Sequence, residues 1–140
     1  MILIDSDILI DIIDRDPLWF EWSFANLEQA AAGADLIVNA IVVGEVAPRF
    51  GSLSDFMDAM ASLPVRVEPL PIEAAFLAGE AFQRYLQNRT ANQPKSILAD
   101  FLIGGHAQLL GAAILTRDAR RYIRYFDMVP LITPTRESHD

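Results

Sequence analysis

Apolar positions along the chain fall into short solid blocks separated by longer stretches of helical periodicity. Ile2–Asp5, Asp35–Val38, Val65–Glu68 and Ala112–Leu115 show no clean polar/apolar alternation, the pattern of strands buried on both faces. Between the first two, Ser6-Asp7 is placed to cap a helix carrying Ile8, Leu9, Ile12 and Ile13. Pro17 suits the first turn of a second helix, reaching about Ala32 with Gly33 as its stop. Phe20, Phe24 and Leu27 recur along it at i, i+4 and i+7, which predicts a core-facing stripe. Asn39 is a cap for a helix through Val42, Val43, Glu45 and Val46, with Pro48 at its end. Ser52–Ser62 has helical spacing, and Ile72 to about Leu86 repeats Ile72, Ala75, Phe76, Gly79, Phe82 and Leu86 on one side. The polar stretch Gln87–Lys95 reads as a loop. Ser96 then caps a strongly apolar helix, Ile97 to Leu110, with Gly111 as the residue after it. Ala119–Phe126 predicts a short helix and Val129–Ile132 an edge strand. Short strands alternating with helices imply one domain over residues 1–140: a three-layer α/β/α fold around a central, mostly parallel, four- to five-stranded sheet.

Composition narrows the chemistry. With 52% hydrophobic and 21% charged residues the chain is neither disordered nor fibrous. It contains no cysteine, which removes disulfide scaffolds, zinc–thiolate sites and thiol catalysis. No basic leader with an apolar core opens the sequence, and no run of about 18 apolar residues follows, so the expectation is a soluble cytoplasmic protein without membrane association. The net charge of -8 argues at first against a polyanionic partner. Its distribution changes that picture: residues 1–83 hold 14 acidic and 3 basic side chains, whereas residues 84–124 hold 7 basic and 2 acidic ones.

Most acidic side chains fit solvated helix faces, but four do not. Asp5 ends the first strand and Asp118 follows the fourth, both at the carboxyl edge where open parallel sheets bind ligands. Asp118 would equally serve as a helix cap. Asp100 lies in the first turn of the most apolar helix, and Glu45 repeats that pattern in Ile41-Val42-Val43-Gly44-Glu45-Val46. A carboxylate buried alone costs several kcal/mol or protonates, and a helix N-terminus returns only about 0.3–1 kcal/mol. A cation must therefore offset the rest, either Arg117 as a structural ion pair or a metal. Four carboxylates in one cleft need a cation between them, and oxygen-only ligation selects Mg²⁺ or Mn²⁺, ions whose usual work is phosphodiester chemistry.

These residues carry a resemblance. Ile4-Asp5-Ser6-Asp7-Ile8-Leu9, Asn39-Ala40-Ile41-Val42-Val43-Gly44-Glu45-Val46, Ala99-Asp100-Phe101-Leu102-Ile103-Gly104-Gly105-His106-Ala107 and Ala113-Ile114-Leu115-Thr116-Arg117-Asp118-Ala119-Arg120-Arg121-Tyr122 resemble, in order, the four motifs of PIN-domain ribonucleases, specifically the VapC toxins of toxin–antitoxin pairs. Asp7 departs from the asparagine usual at its place and adds a second carboxylate to the first motif. The resemblance implies a sheet that gathers Asp5, Glu45, Asp100 and Asp118 around Mg²⁺ or Mn²⁺, with Thr116 and Asp7 supporting them. It implies hydrolysis of structured RNA, transfer or ribosomal, leaving 5′-phosphate and 3′-hydroxyl ends. It further implies a cognate antitoxin that covers the site, and a homodimer. Arg117, Arg120, Arg121 and Arg124 then become the candidate RNA contacts, because phosphate binding needs positive charge beside an acidic centre.

Blander readings stand beside these. His106 is expected to be a helix-surface or packing residue, and His139 a tail residue. Asp11 and Asp14 share a face with Asp7 and are expected to be solvated or to meet a partner's basic residues. Trp19, Phe20, Trp22 and Phe24 are core or a partner groove. The whole chain could also be a PIN-like binding domain without activity, or a nuclease of DNA.

Overall fold

The computed structural model describes residues 1–91 and 96–135. The chain runs β1 (Ile2–Ile4), α1 (Ser6–Ile13), α2 (Phe20–Gly33), β2 (Leu36–Val38), α3 (Ala40–Val46), α4 (Leu53–Ala61), β3 (Val65–Val67), α5 (Ile72–Asn88), α6 (Leu98–Leu110), β4 (Ala113–Leu115) and β5 (Leu131–Ile132), with 3-10 turns at Ala47–Arg49 and Ala119–Arg121. The strands form one sheet in the order β3-β2-β1-β4-β5, and every neighbouring pair is parallel. The result is the expected three-layer α/β/α architecture, with its fifth strand present. Leu3, Ile4, Leu36, Ile37, Val38, Ile114 and Leu115 are all but inaccessible, which explains why the central strands read as solid apolar blocks. β3 is an exposed edge, tied by Arg66 to Asp35 at 2.8 Å and to Glu68.

Strand order sets the position of the site. The chain leaves β1 toward β2 and β3, then returns to lie on the other side of β1 as β4. The carboxyl ends of β1 and β4 therefore flank the switch point at which parallel sheets open a crevice. Ile4 pairs with Leu115, and the Asp5 amide donates to the Leu115 carbonyl at 2.9 Å, so Asp5 and Thr116 leave the sheet side by side.

Several elements differ from the sequence expectation for identifiable reasons. α1 is capped by Asp5 rather than by Ser6-Asp7: the Asp5 side chain accepts from the Ser6 amide at 2.8 Å. α2 starts at Phe20, because Asp16 accepts from the Leu18 and Trp19 amides, both at 2.9 Å, and holds Pro17–Trp19 in a turn. Its buried face is Ser23, Leu27 and Ala30, while Phe20 and Phe24 stack on each other with centroids 5.6 Å apart near the surface.

α5 is rotated in the same sense. Ala74, Ala78, Ala81 and Tyr85 face inward, and Ile72 and Phe76 are exposed. The small residues let α6 approach closely: a Cβ on Gly105 would stand 3.0 Å from the Ala74 carbonyl oxygen. α6 begins one residue later than expected, at Leu98, since Ser96 does not cap it; its amide donates to the Tyr85 hydroxyl at 2.8 Å. Gly111 ends α6 with φ of +64°, as its position predicts. Residues 92–95 of the expected loop, and His139, lie outside the described residues.

Candidate active site

Each acidic side chain singled out by sequence is delivered by a different element. Asp5 comes from the end of β1, Glu45 from α3, Asp100 from the first turn of α6 and Asp118 from the loop after β4. α3 is fixed by Asn39, whose side-chain oxygen accepts from the Ile41 and Val42 amides at 3.0 and 3.1 Å. Asp100 is held by its own helix, its Oδ2 accepting from the Ile97 amide at 3.3 Å.

Asp5, Glu45 and Asp100 converge on one cation, and that cation is Arg121. Its Nη1 donates to Asp5 Oδ1 at 2.7 Å, its Nε to Asp100 Oδ1 at 2.6 Å and its Nη2 to Glu45 Oε2 at 3.2 Å. The Arg121 side chain retains 16% exposure, Asp100 10% and Asp5 none. Burial alone would weaken the guanidinium's charge, but Asp5, Asp100 and Glu45 outweigh it and hold the proton firmly.

Asp5 is the hub. Besides Arg121 it accepts from Thr116 Oγ1 at 2.7 Å and from the Tyr122 hydroxyl at 2.8 Å. Burial, then the Asp5 charge, pushes the Tyr122 phenol well above its ordinary range, so it remains a donor. Arg121 and Tyr122 both reach Asp5 although adjacent, whereas neighbours on a regular helix point apart. The expected helix over Ala119–Phe126 is accordingly replaced by the 3-10 turn and looser turns after it.

The sequence model of the PIN domain family matches residues 2–126, a span that includes all of these side chains. The chain belongs to the PIN domain family. The PIN fold is shared with VapBC2 from Rickettsia felis bound to a DNA fragment from their promoter, at 18% identity over 95% of this chain and 98% of that one, with a TM-score of 0.68. A toxin–antitoxin complex from Klebsiella pneumoniae has 21% identity over 96% and 98% of the two chains, with a TM-score of 0.67. FitAcB from Neisseria gonorrhoeae has 17% identity over 94% and 96%, with a TM-score of 0.65. No curated protein sequence matches the chain. No helix among the described residues is long and apolar enough to cross a membrane.

The remaining predicted site residues of this PIN domain divide into two groups. Thr116 joins the first and fourth motifs: its hydroxyl donates to Asp5 and accepts from the Asp118 amide at 3.0 Å. Asp7 Oδ2 accepts from the Arg117 amide at 3.1 Å, while Asp7 Oδ1 is buried without a partner among the described residues. Burial and the neighbouring Asp5 charge raise the Asp7 carboxyl to about 7. Asp118 turns outward: its carboxylate accepts from the Arg120 amide at 3.2 Å and pairs with the Arg120 guanidinium at 3.0 Å. The Arg117 guanidinium points away from the acidic cluster and grips Asp11 at 2.6 and 2.9 Å. Arg124 lines a cavity of about 170 Å³ with Tyr85, Arg120, Arg121 and Tyr125.

Sequence reasoning missed two features, at Asp11 and Tyr122. Asp11 is buried, not solvated: it holds Arg117 and also accepts from the Ser23 hydroxyl at 2.6 Å. Its spacing from Asp7 and Asp14 gave it a helix face, but only the fold shows that this face turns inward. His106 follows the packing side of its expectation: it is fully buried and hydrogen-bonded through Nδ1 to the Asn39 side chain at 3.1 Å, which binds α6 to the cap of α3. Tyr122 entered only as the last residue of the fourth motif, with no role assigned to its hydroxyl.

The donor set, carboxylate oxygens without sulfur, suits a hard divalent ion. Glu45 Oε1 and Asp7 Oδ1 are buried acceptors with no donor among the described residues, which fits that chemistry. The arrangement itself is closed around Arg121, and among the described residues no three His, Cys, Asp or Glu side chains stand close enough to hold a metal.

Proposed function

We propose that this PIN domain is a divalent-metal-dependent endoribonuclease, the toxin of a type II toxin–antitoxin pair, hydrolysing phosphodiester bonds of structured RNA. The observation supporting this most directly is the meeting of Asp5, Glu45 and Asp100 at the sheet's switch point, within a family-matched chain. Asp5, Asp100 and Glu45 would hold Mg²⁺ or Mn²⁺, with Asp118 adjoining. When bound, the ion would lower the pKa of water and stabilise charge at phosphorus. Thr116 and Tyr122 orient the Asp5 carboxylate, and Asn39 fixes the helix that presents Glu45. Arg120 and Arg124 are outward cations placed to take RNA phosphates beside the acids. The partners in this reading are a cognate antitoxin, transfer or ribosomal RNA and a second copy of the chain. The setting is cytoplasmic, and the whole chain acts as one nuclease domain.

Cleavage of total RNA with Mg²⁺ tests the reading. Activity should disappear with EDTA and fall by about two orders of magnitude or more in Asp5→Asn, the scale on which a group stabilising transition-state charge acts. The second reading, an inactive RNA- or protein-binding PIN domain, is favoured by Arg121 standing among the acids. RNA binding without turnover at any Mg²⁺ or Mn²⁺ concentration would select it.

A further inference from the structure

We propose that Arg121 is the resident counter-ion of the acidic cluster and competes with the divalent ion for it, so that metal enters only as the guanidinium leaves. This rests on the nuclease reading and concerns how its site is loaded. A carboxylate offers about four acceptor positions. All four at Asp5 are taken by close donors, Oδ1 by the Ser6 amide and Arg121 Nη1, Oδ2 by Thr116 Oγ1 and the Tyr122 hydroxyl, and the Ser6 hydroxyl adds a longer contact to Oδ1 at 3.5 Å. An ion can therefore reach Asp5 only if one donor withdraws.

Three of those donors are fixed in place. The Ser6 amide belongs to the first turn of α1, and Thr116 and Tyr122 are completely buried. Arg121 alone is a long side chain with a way out. It also lines the cavity of about 170 Å³ beside Arg120, Arg124, Tyr85 and Tyr125. Charge favours the exchange: three carboxylates share one guanidinium, and a divalent ion neutralises more of that charge. Glu45 keeps a buried oxygen that Arg121 leaves without a donor. The cavity walls are cationic, so departure of Arg121 toward them is easiest when an anion such as an RNA phosphate is present.

Mn²⁺ binding, followed by the paramagnetic resonance of the free ion, tests the competition in wild type, Arg121→Gln and Arg84→Gln. Arg121→Gln should bind Mn²⁺ about tenfold or more tightly, the factor carried by one charge-assisted hydrogen bond. Arg84→Gln makes the same charge change at an exposed position of α5 and should stay within about twofold. In wild type, the Arg121 Nε–H signal in nitrogen-resolved NMR should be protected from exchange without metal. It should shift and lose protection when Mg²⁺ is added, which keeps the idea testable if Arg121→Gln does not fold. Equal Mn²⁺ affinities, or an unmoved Arg121 signal at saturating Mg²⁺, would overturn the competition while leaving intact an RNA cleavage that EDTA abolishes. Mn²⁺ bound by neither protein, with no cleavage, would overturn this proposal and the nuclease reading together.

Discussion

At the scale of single residues, the protein manages buried polarity by giving nearly every group a specific partner. Tyr122→Phe deletes one of the four close donors to Asp5 and keeps the buried ring. It should lower unfolding free energy by about 1.5–3 kcal/mol, the range for a hydrogen bond to a charged group, read as a lower urea midpoint at unchanged slope. His106 makes a pH argument of known sign. Burial depresses its pKa below 6.5, so the folded state resists protonation that the unfolded chain accepts. Its contribution is complete above 6.5 and is lost as pH falls toward the folded value. His106→Asn offers an acceptor near the Nδ1 position but does not titrate there. The stability advantage of wild type over this variant should shrink between about pH 7.5 and about pH 5.5. Asp7, raised to about 7, works in the opposite direction, but it is present in both proteins and cancels in the comparison.

At the scale of elements, close approach governs more than hydrophobic stripes do. A Cβ on Gly104 would lie 2.4–2.8 Å from the buried ring of Phe126, which the chain lays across α6 on its way to β5. Gly104→Ala should therefore destabilise by about 1–3 kcal/mol despite alanine's better helix propensity, measured by thermal or urea unfolding. The same preference for small residues at close contacts explains what could be read from sequence here. The central strands were legible because burial on both faces leaves no alternation, and Asn39 and Gly111 because caps carry chemistry of their own. The core face of α5 was not, because the side chains of Ala74, Ala78 and Ala81 are smaller and less apolar than those of Ile72 and Phe76 and so lose any contest judged by hydrophobicity. Three of the four acids expected to meet, Asp5, Glu45 and Asp100, do so, while Asp118 turns to Arg120 and the cation was not legible. Asp100 announced that a positive charge was needed, but Arg117 and Arg121 are equivalent on paper. Only the tight turn after Asp118 decides that Arg121 reaches inward and Arg117 goes to Asp11.

At the scale of the whole molecule, a net charge of -8 and the proposed RNA substrate are compatible only if the cations are separated from the acids in space. The fold performs part of that separation and spends two of the four clustered arginines in doing so. Arg117 and Arg121 neutralise buried carboxylates and are withdrawn from the surface. Arg120 is 79% exposed in its pair with Asp118, an interaction weak enough to yield to a phosphate, and Arg124 has no ion pair among the described residues. RNA binding should accordingly draw on Arg120 and Arg124. In a plot of log affinity against log salt for a single-stranded RNA, the double variant Arg120→Gln, Arg124→Gln should flatten the slope by about 1.4, roughly 0.7 for each phosphate that no longer meets a cation. Measured with EDTA present, so that cleavage does not intrude, an unchanged slope would move the RNA path to another face of the molecule.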